Sequence, residues 1–281
     1  MQAIQTSLTV AEAIEKYVEL ATHTLTAHSW KTWCKVFKAR WGERDIKSLT
    51  ALDINIFITE RRQEGRAEAT IKNQLATLKA IYKAAEDMGV DVTWPKRIAR
   101  LKPLENRIRT FEKGEESRLR SIMHPLDFEI VELAASTGLR QRELWDLKSR
   151  DVNMVDRFIL VRLGKGSKTR RVPIGKTASK LLKKMLSRGK EYVVNPFDKE
   201  LSNRRSSIAY FMRDVWRPSL RAAGIPDFRW HDLRHCFAST MARAGKSIQA
   251  IQVCMGHSNI AQTMKYSHLN NKTLHDAVSV V

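Results

Sequence analysis

Cysteine is scarce in this chain of 281 residues: Cys34, Cys236 and Cys254 are the whole supply. Three thiols so far apart make neither a disulfide framework nor a CxxC metal site. Long apolar runs are also missing, and none approaches the roughly 18 residues needed to cross a bilayer. The opening stretch MQAIQTSLTVAEAIEKYVEL lacks the basic start and apolar centre of a secretory signal. These absences lead to the expectation of a cytosolic, reduced, metal-free protein with no membrane partner. Negative charge is short as well, with 30 Asp and Glu against 50 Lys and Arg, a net charge of +20 and a pI near 10.1. Such an excess destabilises a compact state by self-repulsion unless a polyanion is usually nearby, which points to nucleic acid. What is present, 43% hydrophobic and 28% charged residues, excludes a disordered or collagen-like chain. The length suits one large or two ordinary domains.

The charge is unevenly placed. Residues 1–110 carry 19 basic and 13 acidic side chains, while residues 111–281 carry 31 and 17. From Arg157 to Lys190 there are twelve Lys or Arg and no carboxylate. A mixed run would be a solvated face; this one fits phosphate contact, where each phosphate neutralised releases counterions.

The first part reads as a four-helix bundle in residues 1–95. Thr9 with Glu12 forms a capping box, after which Ile14, Tyr17, Val18 and Ala21 share one face. Trp30, Trp33, Phe37 and Trp41 make a second apolar stripe, read as core rather than as a base-stacking platform. Thr50 with Asp53 caps a third helix, and Ile71, Leu75, Leu78 and Tyr82 mark a fourth that Gly89 ends. Trp94–Pro95 stops helix formation, and the basic, Pro-interrupted stretch 96–110 reads as a linker. The second domain, 111–281, opens with helices near 113–123 and 126–136. A β-hairpin follows, FILVR (158–162) and TRRVPI (169–174) around the glycine-rich turn 163–168. Helical patterns then return to the end. The fold class is mainly α with a small β-sheet.

Several familiar motifs fail. Gly245-Lys246-Ser247 would end a phosphate loop, but Thr240 stands where that loop needs glycine. His231 and His235 have the spacing of a zinc peptidase, yet Asp232 replaces the required Glu and Arg234 adds a positive charge. There is no G-x-S-x-G, and carboxylates are not clustered as two-metal phosphoryl transfer requires.

What remains lies in order along the second domain: Ala135-Ser136-Thr137-Gly138-Leu139-Arg140-Gln141-Arg142-Glu143-Leu144, Lys165 in the hairpin turn, His231-Asp232-Leu233-Arg234-His235, Met255-Gly256-His257 and Thr263-Met264-Lys265-Tyr266. Together these resemble the tyrosine recombinase (phage integrase) family, which shares its chemistry with type IB topoisomerases. The resemblance spans about 170 residues, and the first domain resembles the family's helical core-binding domain. It implies a core-binding domain plus an α+β catalytic domain that form a C-shaped clamp. Met255 and Cys236 depart from the family's more frequent Leu and Thr.

The chemistry can be argued separately. Cleaving a phosphodiester without metal needs cations on the non-bridging oxygens, and a guanidinium forks onto phosphate while staying protonated. Arg140 and Arg234 match the family's clamps. Conserving bond energy requires a covalent intermediate; a phenol can form one but, with a pKa near 10, needs help losing its proton. Of the five tyrosines, Tyr17 and Tyr82 read as core and Tyr192 and Tyr210 lack a partner motif. Tyr266 follows His257 by nine residues in HSNIAQTMKYSH, which resembles the family's nucleophile region, so the resemblance makes Tyr266 the nucleophile. The resemblance implies that His231 is the general base or a phosphate hydrogen-bond donor and that His257 is a second phosphate contact. It also makes Lys165 the general acid for the departing 5′ oxygen, with Lys168 as the alternative, and gives Glu143 a supporting role. His23, His28, His124, His268 and His275 keep an ordinary reading.

The implied activity is site-specific recombination through a 3′-phosphotyrosyl link, without ATP, metal or other cofactor. The expected partners are double-stranded DNA with inverted-repeat core sites, a homotetramer on that DNA, and an accessory DNA-bending protein. The setting would be the nucleoid of a bacterial or phage-infected cell. An integrase is preferred, with a Xer-like resolvase or a type IB topoisomerase as alternatives, and a catalytically silent regulator as the non-enzymatic reading. An N-terminal arm-binding domain is not expected. The tail 267–281 would dock on a neighbouring subunit or pack on its own domain. Lys35, Lys38, Lys72, Asn73 and Lys79 are candidate base contacts, and Lys168, Arg170 and Arg171 candidate contacts beside the hairpin.

Overall fold

The computed structural model describes residues 7–21, 27–101, 107–162, 169–194 and 204–269. The chain divides into two compact units, Met1–Glu105 and Asn106–Val281. In the first unit, helices α1 (Val10–Ala21), α2 (Ala27–Trp41), α3 (Ala51–Gln63) and α4 (Glu68–Asp87) surround one core. Both sequence-legible capping boxes form. The Glu12 carboxylate accepts from the Thr9 backbone N and hydroxyl, and that hydroxyl accepts from the Glu12 N. Thr50 and Asp53 repeat the arrangement at α3. Such reciprocal bonds satisfy amides that a helix start leaves without partners. Trp30, Phe37 and Trp41 are buried, so the tryptophan stripe is core. Tyr82 buries its ring and donates its hydroxyl to the Ile46 carbonyl at 3.1 Å.

The second unit is helical around a three-stranded antiparallel sheet of order β1-β2-β3. Helices α5 (Glu115–Ile122), α6 (Pro125–Thr137) and α7 (Gln141–Trp145) precede β1 (Val152–Asn153), β2 (Phe158–Val161) and β3 (Arg170–Pro173). The two expected strands pair from Phe158↔Pro173 to Val161↔Arg170, and the two-residue β1 was not anticipated. Helix α8 (Lys176–Leu186) follows, then α9 (Arg204–Tyr210), a wide i→i+5 turn over Phe211–Trp216, and α10 (Arg217–Ala222). Phe211 and Trp216 are both buried. Five residues apart, they would point about 140° from each other on an α-helix; the wider turn brings them to the same side. Helices α11 (Trp230–Arg243), α12 (Ile248–Met255) and α13 (Ala261–Met264) complete the unit.

Beneath α7 and α11 lies an aromatic cluster. Trp145 meets Trp230 at 5.1 Å and Phe211 at 5.2 Å between ring centroids, and Trp230 meets Trp216 at 5.1 Å, all edge to face. That is the arrangement aromatic quadrupoles favour.

The expected linker is shorter than 96–110. Ile98 and Leu101 pack on the first core, and the Ala99 N donates to Asn55 at 2.7 Å. At the other end Arg107 donates to Asp227, and Arg109 forks onto Glu115. Only 102–106 lies between these anchors, outside the described residues. No described helix is long and apolar enough to cross a membrane.

Leu78 is fully buried in the first core, so Leu78→Ala should cost about 2–5 kcal/mol, against about 1 kcal/mol for Thr50→Ala at the α3 cap. Urea unfolding followed by circular dichroism checks the order; a larger loss for the cap variant would contradict it.

Candidate active site

Helix α6 ends at Gly138, whose φ of 63° is left-handed and whose Cβ, if present, would lie 2.4 Å from the Phe237 ring. Only glycine meets both conditions without strain. The chain then extends through Leu139 to Arg140, which caps α7. Glu143, one turn in, folds back to accept from the Arg140 backbone N at 2.9 Å and from its Nη1 at 2.8 Å. Arg170 of β3 adds a fork onto the same carboxylate, at 2.7 and 2.6 Å. Burial alone would raise the Glu143 pKa; the bonds from Arg170 and Arg140 outweigh it and hold the group at about 2.

Arg234, on α11, is buried and donates to the Gly138 and Met255 carbonyls. Arg140 Nη2 donates to the next carbonyl, Gly256, at 2.9 Å. Gly256 has φ 62° and ends α12, so the left-handed turn that stops the helix presents two consecutive carbonyls to the two guanidiniums. His257 comes next, its Nδ1 2.9 Å from the Thr263 hydroxyl. Burial, then the Arg140 charge, lowers Arg234 to about 10, so it stays charged at neutral pH.

One turn along α11 from the exposed His231, the buried His235 places its Nδ1 2.5 Å from the Tyr266 hydroxyl. The His231 and His235 rings stand edge to face at 5.2 Å. Tyr266 is fully buried, and burial pushes its phenol above the ordinary value. Burial, then the charges of Lys265, His231 and Arg234, lowers His235 to about 3; burial and Arg234 lower His257 to about 4. Both imidazoles are therefore neutral at pH 7. The phenol keeps its proton, and the direction of its bond with His235 Nδ1 follows the imidazole tautomer.

The structure thus gathers Arg140, Glu143, Arg234, His257 and Tyr266 around the end of α12, with His231 at the edge. Lys165 and Lys168 lie outside the described residues. Arg171 is exposed, its guanidinium 4.5 Å from the Phe158 ring centroid. Lys35, Lys38, Lys72, Asn73 and Lys79 are exposed on α2 and α4, and Lys38 also pairs with Glu15 at 2.9 Å. Arg170, expected to contact nucleic acid, is instead turned inward onto Glu143 with 13% of its side chain exposed. A buried carboxylate draws in the nearest guanidinium because burial without a partner is costly. His235 was missed. Its signal was its i,i+4 relation to His231, weighed in the sequence only as a zinc spacing.

Two guanidiniums, a carboxylate, imidazoles and a phenol gathered in one place have the chemical means for phosphoryl transfer onto a tyrosine. Residues 107–273 match the phage integrase family, and residues 12–89 match the phage integrase N-terminal SAM-like domain. The tyrosine recombinase XerC of Staphylococcus saprophyticus is 26% identical, with 98% of this chain and 95% of that protein covered. The integrase of Salmonella phage P22 is 33% identical, covering 74% of this chain and 57% of its own. Among solved structures, a lambda integrase tetramer bound to a Holliday junction has a TM-score of 0.74 at 19% identity, over 95% of this chain and 79% of that one. The Tn1549 transposon integrase in complex with transposon right end DNA scores 0.73 at 20% identity, over 92% and 94%. The chain belongs to the phage integrase family. It is an enzyme of the tyrosine recombinase class.

His235, which is buried, and His257, which is half-buried, set the sign of the acid response. Unfolded, each titrates near 6.5; folded, His235 refuses a proton down to about 3 and His257 down to about 4. Across that window the unfolded state binds more protons, so stability is complete above about 6.5 and is lost as pH falls. His235 alone should cost about 3 kcal/mol at pH 4. Urea titrations at pH 7 and pH 4 check this, and an unchanged midpoint would contradict neutral burial.

Proposed function

We propose that this recombinase cuts and rejoins duplex DNA at a specific site through Tyr266. The observation that carries the reading is the pair of guanidiniums held on the consecutive carbonyls of Met255 and Gly256, beside His257. Arg140 and Arg234 would fork onto the non-bridging oxygens of the scissile phosphate, spreading the charge that builds in the transition state. His257, neutral and anchored by Thr263, would donate to the same phosphate, and His231 would contact it from the exposed edge or take the phenolic proton. The Tyr266 oxygen forms a bond to the 3′ phosphorus as the bond to the 5′ oxygen breaks, and Lys165, or Lys168, supplies that oxygen's proton. The free 5′ hydroxyl of a partner strand reverses the step, so the energy stays in the phosphotyrosyl bond. Because the phenol is fully buried, α13 and the turn after it must shift before it meets a duplex.

The DNA would be two inverted core sites bound by a homotetramer, with an accessory bending protein and a nucleoid location following from that use. Lys35, Lys38, Lys72, Asn73 and Lys79 are the candidates for reading bases, and Arg171 for a phosphate contact. Both an integrase and a chromosome or plasmid resolvase are compatible with the site. The end-to-end match to a XerC protein supports the second.

The test is covalent capture on nicked duplexes of random sequence, denatured before recovery and sequencing. Capture is expected at one site family with wild type and to vanish with Tyr266→Phe while non-covalent binding persists. Dispersed capture would point to a topoisomerase, and binding with no capture would remove the catalytic reading. Non-covalent affinity should fall steeply with salt, about tenfold or more between 50 and 200 mM, since several phosphates are neutralised. A flat salt response would contradict the electrostatic part.

A further inference from the structure

Arg170 is a charged side chain that the proposed chemistry leaves unused. It lies in β3, at the foot of the hairpin that carries Lys165, yet it points away from solvent. Three independent facts fix it. Both terminal nitrogens fork onto Glu143 at 2.7 and 2.6 Å. Its Nε is buried without a hydrogen-bond partner. That same Nε faces Gly256 so closely that a Cβ there would lie 2.5 Å away. The guanidinium is thus wedged between the carboxylate at the start of α7 and the glycine that ends α12, the two places from which Arg140 and His257 project.

The charge balance gives this wedge a purpose. Glu143 also accepts from Arg140, at 2.8 Å. With Arg140 as its sole partner, the carboxylate would cancel the charge of that guanidinium. With Arg170 committed to it, Glu143 is compensated already and can orient Arg140 without neutralising it. Bidentate pairing suits this use, because a fork fixes the plane of the carboxylate as well as its charge.

We infer that Arg170 is a positioning residue for the recombination reaction: as the counter-ion of Glu143, it leaves the charge of Arg140 available to the scissile phosphate and locks β3 against the end of α12. This rests on the function proposed above, in which Arg140 grips that phosphate. It differs from a DNA-contact role, which would act on affinity rather than on the chemical step.

The experiment compares wild type, Arg170→Met and Arg170→Lys in single-turnover capture on the nicked duplex recovered in the capture screen. The duplex is synthesised with either a phosphodiester or a methylphosphonate at the cleaved position. The methylphosphonate lacks the anionic oxygen that the Arg140 charge would stabilise. Arg170→Met should slow capture of the phosphodiester about tenfold to a hundredfold, with non-covalent affinity within about threefold, a loss below that of removing a direct oxyanion donor. On the methylphosphonate the defect should shrink to about threefold or less. Arg170→Lys keeps the charge and loses the fork, so it should fall between, and it carries the test if the methionine variant does not fold. Equal defects on both substrates would reduce Arg170 to a structural pair and overturn the inference. So would unchanged rates, or a fall in affinity with the rate preserved. If wild type captures neither duplex, the proposed function fails instead, and the two failures are separable.

Discussion

Gathering positive charge inside a protein is costly, because each cation loses its water and repels the others. The second unit meets that cost with one carboxylate and three backbone carbonyls. Glu143 faces Arg140 and Arg170, while Gly138, Met255 and Gly256 turn their oxygens onto Arg140 and Arg234. The carbonyls are available because α6 and α12 both end in left-handed glycines, whose reversed turns leave the last oxygens pointing into the site. The placement of the helix ends and the placement of the cations are therefore one problem with one solution. Carbonyl dipoles also stabilise a cation without cancelling its net charge, so the site remains attractive to an anion.

The proposed nucleophile is treated in the opposite way. Tyr266 sits without solvent contact, and the only described hydrogen-bond partner of its hydroxyl is an imidazole that burial and neighbouring charge keep neutral. A phenol in that setting keeps its proton, since burial disfavours the ionised form by more than the Arg234 charge favours it. The cluster is thus strongly cationic while the phenol stays protonated, and the two meet on α11, where Arg234 adjoins the His235 that Tyr266 contacts.

Much of the fold was legible because it is local. The capping boxes at Thr9 and Thr50, the apolar periodicity of α1 to α4 and the β-branched strands around the glycine-rich turn depend on neighbours in sequence. The wide turn at Phe211–Trp216 did not announce itself, since its reason is that two large aromatics five residues apart share one core. The strand β1 is two residues long, too short for alternation to register. The linker seemed longer than it is because Ile98 and Leu101 are single apolar residues in a basic stretch, and only the tertiary packing shows where they go. At the site, motif order identified the residue types. Arg170 was misjudged because the partner that turns it inward lies 27 residues away. The arginine-rich surroundings gave no hint of it. His235 was overlooked for a similar reason: the phenol it meets is 31 residues further on.

The aromatic cluster under α7 and α11 has a consequence for how the helices that bear Arg140 and Arg234 stay together. Trp145 ends the helix that Arg140 begins, and Trp230 begins the helix that carries Arg234; their rings touch at 5.1 Å. This edge-to-face contact holds α7 against the start of α11, alongside the polar contacts that hold the guanidiniums above it. Salt and proton concentration weaken ion pairs but leave ring contacts almost unchanged. The packing of α7 on α11 thus persists when ionic conditions change.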